Sequence, residues 1–276
     1  MDENSGLPSV KEVFDTTPYT ILVVDDNPDM TDFLKRTFEG YFKRIIIAGD
    51  GVEALQLVRS HVPDIIVSDV MMPRMNGYEL CKTIKEDIAI SHIPVILLTA
   101  KDDKQSLISG YKNGADGYLS KPFEVEMLME LIRNRLKNRE YTKKRYLNAG
   151  LIPTPEESTI SLTDETFLIK LNSIIQENID NTNLGIQFIF QEVGLGRSSL
   201  YNKLKALTGM GANEYISKLR IEKAITLISG TDMPFSEIAE KTGFTTPSYF
   251  STTFKQYTGE TPSQYKERKK KGLTDQ

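Results

Sequence analysis

Four short apolar runs in the first half of the chain each stop on a polar side chain. Ile21-Leu22-Val23-Val24 runs into Asp25-Asp26, and Ile65-Ile66-Val67-Ser68 into Asp69. Val95-Ile96-Leu97-Leu98 runs into Thr99, and Gly117-Tyr118-Leu119-Ser120 into Lys121-Pro122. Runs this short, rich in branched residues and bounded by breakers, read as strands. A further run covers 44–48. The stretches between the runs have helical spacing: Phe33, Leu34 and Phe38; Val52, Leu55 and Val58; Leu80 and Ile84; Leu107 and Tyr111; Leu128, Leu131 and Leu136. Five strand–helix units between 19 and 139 predict an α/β, doubly wound, five-stranded parallel sheet with helices on both faces. The C-terminal ends of such strands converge on the ligand crevice. Three carboxylates, a hydroxyl and an ammonium are therefore expected to meet there.

Carboxylates grouped this way repel one another and raise their own pKa values. A divalent cation relieves the repulsion, and Mg²⁺ commonly takes one or two carboxylates, waters and phosphate oxygens. Asp26 and Asp69 are the expected direct ligands, with Asp25 acting through water and the Met71 carbonyl completing the shell. Asp69 is the expected nucleophile toward a phosphoryl group, with Mg²⁺ and Lys121 neutralising the equatorial oxygens. A cis Lys121-Pro122 peptide is expected to aim the lysine inward. Thr99 and Tyr118 are the expected switch: the hydroxyl swings to the phosphoryl group and the ring fills the vacated space. The surface so altered includes the helix around Gln105–Asn113, the last strand and the last helix.

Asp25-Asp26, Asp69-Val70-Met71-Met72-Pro73, Thr99-Ala100, Gly114-Ala115-Asp116-Gly117-Tyr118 and Lys121-Pro122-Phe123 together resemble the response-regulator receiver family, in order and spacing, over about 120 residues. The resemblance implies a flavodoxin-like fold. It also implies Mg²⁺-dependent transfer from the phosphohistidine of a sensor histidine kinase, followed by slow self-dephosphorylation.

Residues 148–157 are rich in breakers, and beyond Thr163, read as a helix N-cap, the pattern is helical throughout. Within it Gly194-Leu195…Leu200…Leu204-Lys205…Leu207-Thr208-Gly209 recurs as Gly243-Phe244…Phe250…Phe254-Lys255…Tyr257-Thr258-Gly259. Each copy is a short helix, a glycine turn and a longer helix, the order of a helix-turn-helix. The two are joined by a helix expected over about 213–229. The second helix of such a motif enters the major groove. In the first copy it begins near Arg197 and offers Arg197, Ser198, Tyr201, Asn202 and Lys205; in the second it begins at Pro247 and offers Ser248, Tyr249, Thr252 and Lys255. Arg and Lys suit phosphate or guanine, Asn suits adenine, and Ser and Thr serve either phosphate or base. The stretch from Ile238 to Ser251, with Phe254-Lys255 and Thr261-Pro262-Ser263-Gln264-Tyr265, resembles the AraC/XylS-type DNA-binding domain. The first copy departs from it: Phe190 stands where the second copy has Ala239, and Gly196 replaces a capping hydroxyl. A ring at a crowded helix contact sets close packing there in question.

The expected organisation is a leader over 1–18, a receiver over 19–139, a linker over 140–163 and an all-α DNA-binding domain over 164–276. The net charge is −4, yet residues 184–276 carry 13 Lys and Arg against 9 Asp and Glu, so this part alone is basic and suited to a polyanion. One cysteine, Cys81, excludes an intrachain disulfide and reads as packing. His61 and His92 lack partners in pattern. No apolar run approaches a bilayer span, and the start is no signal peptide, so the chain reads as cytoplasmic and without membrane contact. No glycine-rich phosphate loop occurs, so the receiver is expected only to assist its own phosphorylation. The whole reads as a two-component transcription regulator with a histidine kinase, double-stranded DNA and, as a further candidate, RNA polymerase as partners. A homodimer is expected on activation. Two alternatives stand beside it: a receiver acting as a phosphate sink or protein-docking module, and the end of a one-chain hybrid sensor for polysaccharide use.

Overall fold

The computed structural model describes residues 13–100, 114–148 and 161–272, with side chains to 144 in the second segment. The helix expected around Gln105–Asn113, most of the leader and half of the linker region lie outside them. The chain divides into two compact units. One holds the described residues to Ile84 with Ile93–Asn138; the other holds Lys85–His92 with the described residues from Arg139 onward.

The first unit is built on five strands: β1 (Thr20–Val24), β2 (Arg44–Ala48), β3 (Ile65–Asp69), β4 (Val95–Ala100) and β5 (Gly117–Lys121). All pair in parallel in the order β2-β1-β3-β4-β5. β3 is buried along its whole length because it is central and both faces are covered. Four helices accompany the strands among the described residues: α1 (Pro28–Phe38), α2 (Gly51–His61), α3 (Gly77–Glu86) and α4 (Val125–Asn148). Alternation sends Ile21, Val23, Ile65, Val67, Ile96 and Leu98 to one face, where they pack with Leu34 and Phe38 of α1 and Leu128, Ile132 and Leu136 of α4. Each such side chain removed from water contributes roughly 1.5–3 kcal/mol, enough to fix the register and with it the strand ends. α1 begins where Asn27 accepts from the Asp29 amide and Pro28 supplies a preset φ. Cys81, the chain's one cysteine, is buried.

The second unit is helical: α5 (Leu162–Glu177), α6 (Ile186–Val193), α7 (Arg197–Thr208), α8 (Ala212–Gly230), α9 (Phe235–Lys241), α10 (Pro247–Thr258) and α11 (Pro262–Lys270). The cap expected at Thr163 belongs instead to Ser161, whose hydroxyl accepts from the Asp164 amide, so α5 starts one residue before Thr163. Ser161 and Thr163, two residues apart, both satisfy the cap criterion of the sequence. α6–α7 and α9–α10 are the two repeated motifs. Thr246 caps α10 and Thr261 caps α11, while Gly194, Gly209, Gly243 and Gly259 take the left-handed backbone that ends a helix.

The connecting helix α8 serves two cores. Ala212, Tyr215, Ile216 and Leu219 pack with α5, α6 and α7. Ile221, Ala224 and Ile228 pack with α9, α10 and α11. At 3.6 residues per turn these two sets point to nearly opposite sides. No described helix is long and apolar enough to cross a membrane.

Candidate functional site

Three strand ends of the first unit meet at one ammonium. Lys121 Nζ lies 2.5 Å from Asp69 Oδ1 and 2.8 Å from Asp25 Oδ2. The remaining oxygens are held by backbone amides: Asp69 Oδ2 accepts from Met71 at 2.8 Å, and Asp25 Oδ1 accepts from Asn27 at 2.9 Å. Both carboxylates are buried, Asp25 at 3% exposure and Asp69 at 8%, and are thus aimed rather than free to wander. The Lys121-Pro122 peptide is cis.

The charges settle unevenly. Burial pushes the Asp69 carboxyl above its usual range, against the Lys121 ammonium that favours ionisation; the nearby Asp25 adds to the rise. For Lys121 burial works downward, yet the hydrogen bonds and charges of Asp25 and Asp69 outweigh it and hold the ammonium above its usual range. Asp69 is thus a carboxylate in a tight, charge-rich setting that gains from any further positive charge.

Thr99 is buried on β4, one residue beyond Leu98, the pairing partner of Asp69. Tyr118 is half-buried on β5, paired with Leu97. Asp26 is exposed beside Asp25, and the Met71 side chain is exposed. Among the described residues no group of three or more His, Cys, Asp or Glu side chains is placed so as to hold a metal ion by side chains alone.

Beside this pocket lies a close backbone contact that pattern reading did not single out. A Cβ on Gly77 would stand 2.2 Å from the Asp69 carbonyl oxygen, and the Gly77 amide donates to the Val70 carbonyl at 3.0 Å. α3 therefore starts directly against the end of β3. Asn76 and Glu79 cap that start reciprocally, each side chain accepting from the other's amide. Asp50 caps α2 and pairs with Arg74, in the loop between β3 and α3.

In the second unit, Arg197, Ser198, Tyr201 and Lys205 of α7 are exposed and Asn202 is half-buried; Ser248, Tyr249, Thr252 and Lys255 of α10 are all exposed. Their apolar neighbours Leu200, Leu204, Phe250 and Phe254 are buried, so each longer helix turns one face inward and leaves its polar candidates outward. Phe190 packs at the edge of the first core. Its ring is half-buried, with the Arg197 guanidinium 5.9 Å from the centroid, whereas Ala239 in the second motif is buried.

Lys203 of α7 is fully buried, paired with Asp164 of α5 and 5.1 Å from the Phe167 ring centroid. Burial draws its pKa below the ordinary lysine value, against the pull of Asp164. Its place in the spacing Leu200, Lys203, Leu204, Leu207 puts it on the apolar face, a signal available in the sequence.

Residues 21–133 match the response regulator receiver domain family, and residues 189–268 match a helix-turn-helix domain family. The chain is 41% identical over 249 residues to histidine kinase P4 of Formosa agariphila, covering 90% of this chain and 18% of that protein. It is 37% identical over 136 residues to the DNA-binding response regulator MtrA of Mycolicibacterium smegmatis, covering 49% of this chain and 58% of that one. To the response regulator MprA of a Mycobacterium species it is 36% identical over 165 residues, covering 55% of this chain and 70% of that protein. The chain thus spans less than two thirds of the first two relatives and rather more of the third.

Proposed function

Since the chain belongs to the response regulators, with a receiver ahead of an AraC-type helix-turn-helix domain, we propose that a phosphoryl group received on Asp69 from a sensor histidine kinase governs its binding to DNA. The coarse identity is that of a two-component transcription regulator. In this reading the receiver covers 19–139 and the DNA-binding domain 164–276, with 1–18 a leader and 140–163 the link.

The observation that carries the reading is the convergence of Asp25 and Asp69 on Lys121. An Asp69 oxygen attacks phosphorus as the bond to the donor imidazole breaks; the bonding pair returns to the ring nitrogen, which takes a proton. Lys121 holds charge against the transferring oxygens. Two buried carboxylates already meet at one cation, and Mg²⁺ needs no more than one or two carboxylates with waters, so the residues fit it. Asp25, Asp26, Asp69 and the Met71 carbonyl would hold the ion. Bound Mg²⁺ supplies further neutralisation of phosphoryl oxygens. Thr99 then donates its hydroxyl to an oxygen of the new group, and Tyr118 follows inward.

The output is the pair of exposed faces on α7 and α10. Arg197, Lys205 and Lys255 meet phosphates or guanine, Asn202 adenine, and Ser198, Tyr201, Ser248, Tyr249 and Thr252 phosphates or base edges. Activated copies pair on repeated sites, where linkage raises effective concentration.

Incubating the chain with acetyl phosphate and Mg²⁺ should add one alkali-labile, hydroxylamine-sensitive phosphoryl mass, and Asp69→Asn should abolish it while leaving circular dichroism unchanged. Label persisting on Asp69→Asn would refute the assignment.

A second reading is favoured by the identity to histidine kinase P4 across nine-tenths of this chain: the segment is the receiver and output portion of a one-chain hybrid sensor. An antibody against this segment should then detect a much larger native protein in the source cells. A native band of the size of this chain alone would exclude it.

A further inference from the structure

Arg220 sits where the two cores of the second unit meet. On α8, Leu219 belongs to the first core and Ile221 to the second; Arg220 between them is 8% exposed. Its Nε donates to the Ile179 carbonyl at 3.2 Å, and its Nη2 to the Asn181 carbonyl at 2.6 Å. Both carbonyls belong to the connection between α5 and α6, the entry to the first motif. Its guanidinium carbon lies 5.9 Å from the centroid of Phe244, in the turn of the second motif.

That turn touches the same spot through backbone. A Cβ on Gly243 would fall 2.3 Å from the Ile179 oxygen and 2.7 Å from Arg220 Nη2. Gly243 also has φ +72°, which a side chain resists. Three segments therefore close on one guanidinium: the entry to the first motif, the connecting helix and the turn of the second. From there contact continues to a reading helix, because Phe244 packs edge-on against Tyr249 and Phe250, with centroids 5.7 and 5.3 Å away.

We infer that Arg220 is the positioning residue that fixes the separation of the two reading helices, and with it the half-site spacing the domain accepts on DNA. The inference rests on the DNA-binding reading proposed above. α8 has 19 residues and a length of about 28 Å, which sets the coarse distance between the motifs. A helix held by separate cores at its two ends still lets those ends rock about its axis. A planar guanidinium bonded to the entry of the first motif and set over an aromatic ring in the turn of the second removes that freedom. Lysine keeps the charge but lacks the fork and the stacking plane. Gly243 is the complementary half of the joint, since any side chain there forces the turn away from Ile179.

The test begins with the duplex that the full chain itself enriches from a randomised DNA pool. Binding of wild type, Arg220→Lys and Gly243→Ala is then measured on that duplex and on versions with one or two base pairs inserted between the halves. Wild type should lose affinity on insertion by about tenfold or more, the cost of misplaced base contacts. Both variants should bind the original spacing about tenfold more weakly and show an insertion penalty reduced to a few-fold. The double variant should be no worse than the single ones, because both substitutions release the same joint. A folded variant that is uniformly weaker but keeps the wild-type insertion penalty would overturn the inference. Failure of wild type to enrich any sequence overturns the DNA-binding reading itself, and the inference falls with it. Should Arg220→Lys lose its helical dichroism, Gly243→Ala and Arg220→Gln decide by the same spacing comparison.

Discussion

Lys121 is shared between two buried carboxylates, and its value depends on how rigidly they are held. Gly77 provides part of that rigidity, because only a residue without a Cβ lets α3 begin against the Asp69 carbonyl. Gly77→Ala must push α3 away from β3, at a cost of about 1–3 kcal/mol typical of overfilled contacts. Calorimetry of the full chain should show the receiver transition moved to lower temperature, with phosphoryl incorporation slowed as Asp69 loses its aim. An unchanged transition would mean that the helix start yields freely. Asp25, Asp69 and Lys121 were legible from sequence because strand termini in a parallel sheet share one edge. Lys203 was passed over, although its spacing places it among leucines. Arg220 was not legible: its carbonyl partners lie 39 and 41 residues away, and no local periodicity reports a bond to a distant backbone.

Among the helices, those that carry the output are pinned from outside as well as within. Tyr257 near the end of α10 donates its hydroxyl to the Glu214 carbonyl of α8 at 2.9 Å. Burial, with the Glu214 charge and Tyr249 adding to it, pushes the phenol up to about 12. The folded state therefore favours the protonated phenol more than the unfolded chain does. This contribution is complete below pH 10, the unfolded value, and is lost as pH rises from there through about 12. Over that window wild type should lose more stability than Tyr257→Phe in parallel denaturant titrations. Equal losses would show that the hydroxyl contributes nothing. Element boundaries followed the sequence closely where a cap and proline coincide, as at Thr246-Pro247 and Thr261-Pro262. They slipped at α5, where Ser161 and Thr163 compete. The departure at Phe190 was visible, but its accommodation was not: the half-buried ring packs at the edge of the first core with the Arg197 guanidinium of the next helix over it.

On the scale of the whole molecule, charge separates the parts more sharply than the net value suggests. Of the stretches 1–18, 19–139, 140–183 and 184–276 only the last has a net positive charge, and Arg197, Lys205 and Lys255 stand exposed on α7 and α10 within it. If these three meet phosphates, the logarithm of the DNA-binding constant should fall against the logarithm of salt with a slope of about −3 or steeper. Filter binding between low and moderate salt measures it, and a slope near zero would point to a protein partner instead. Replacing Lys205 and Lys255 together should make the slope shallower by about 2.

The connecting helix α8 has one more consequence. Because its first half faces one core and its second half nearly the opposite way into another, each half needs its own core to cover its apolar stripe. A fragment carrying either motif with this helix would expose an orphaned apolar stripe and clump, so gene truncations that try to halve the domain should yield insoluble product.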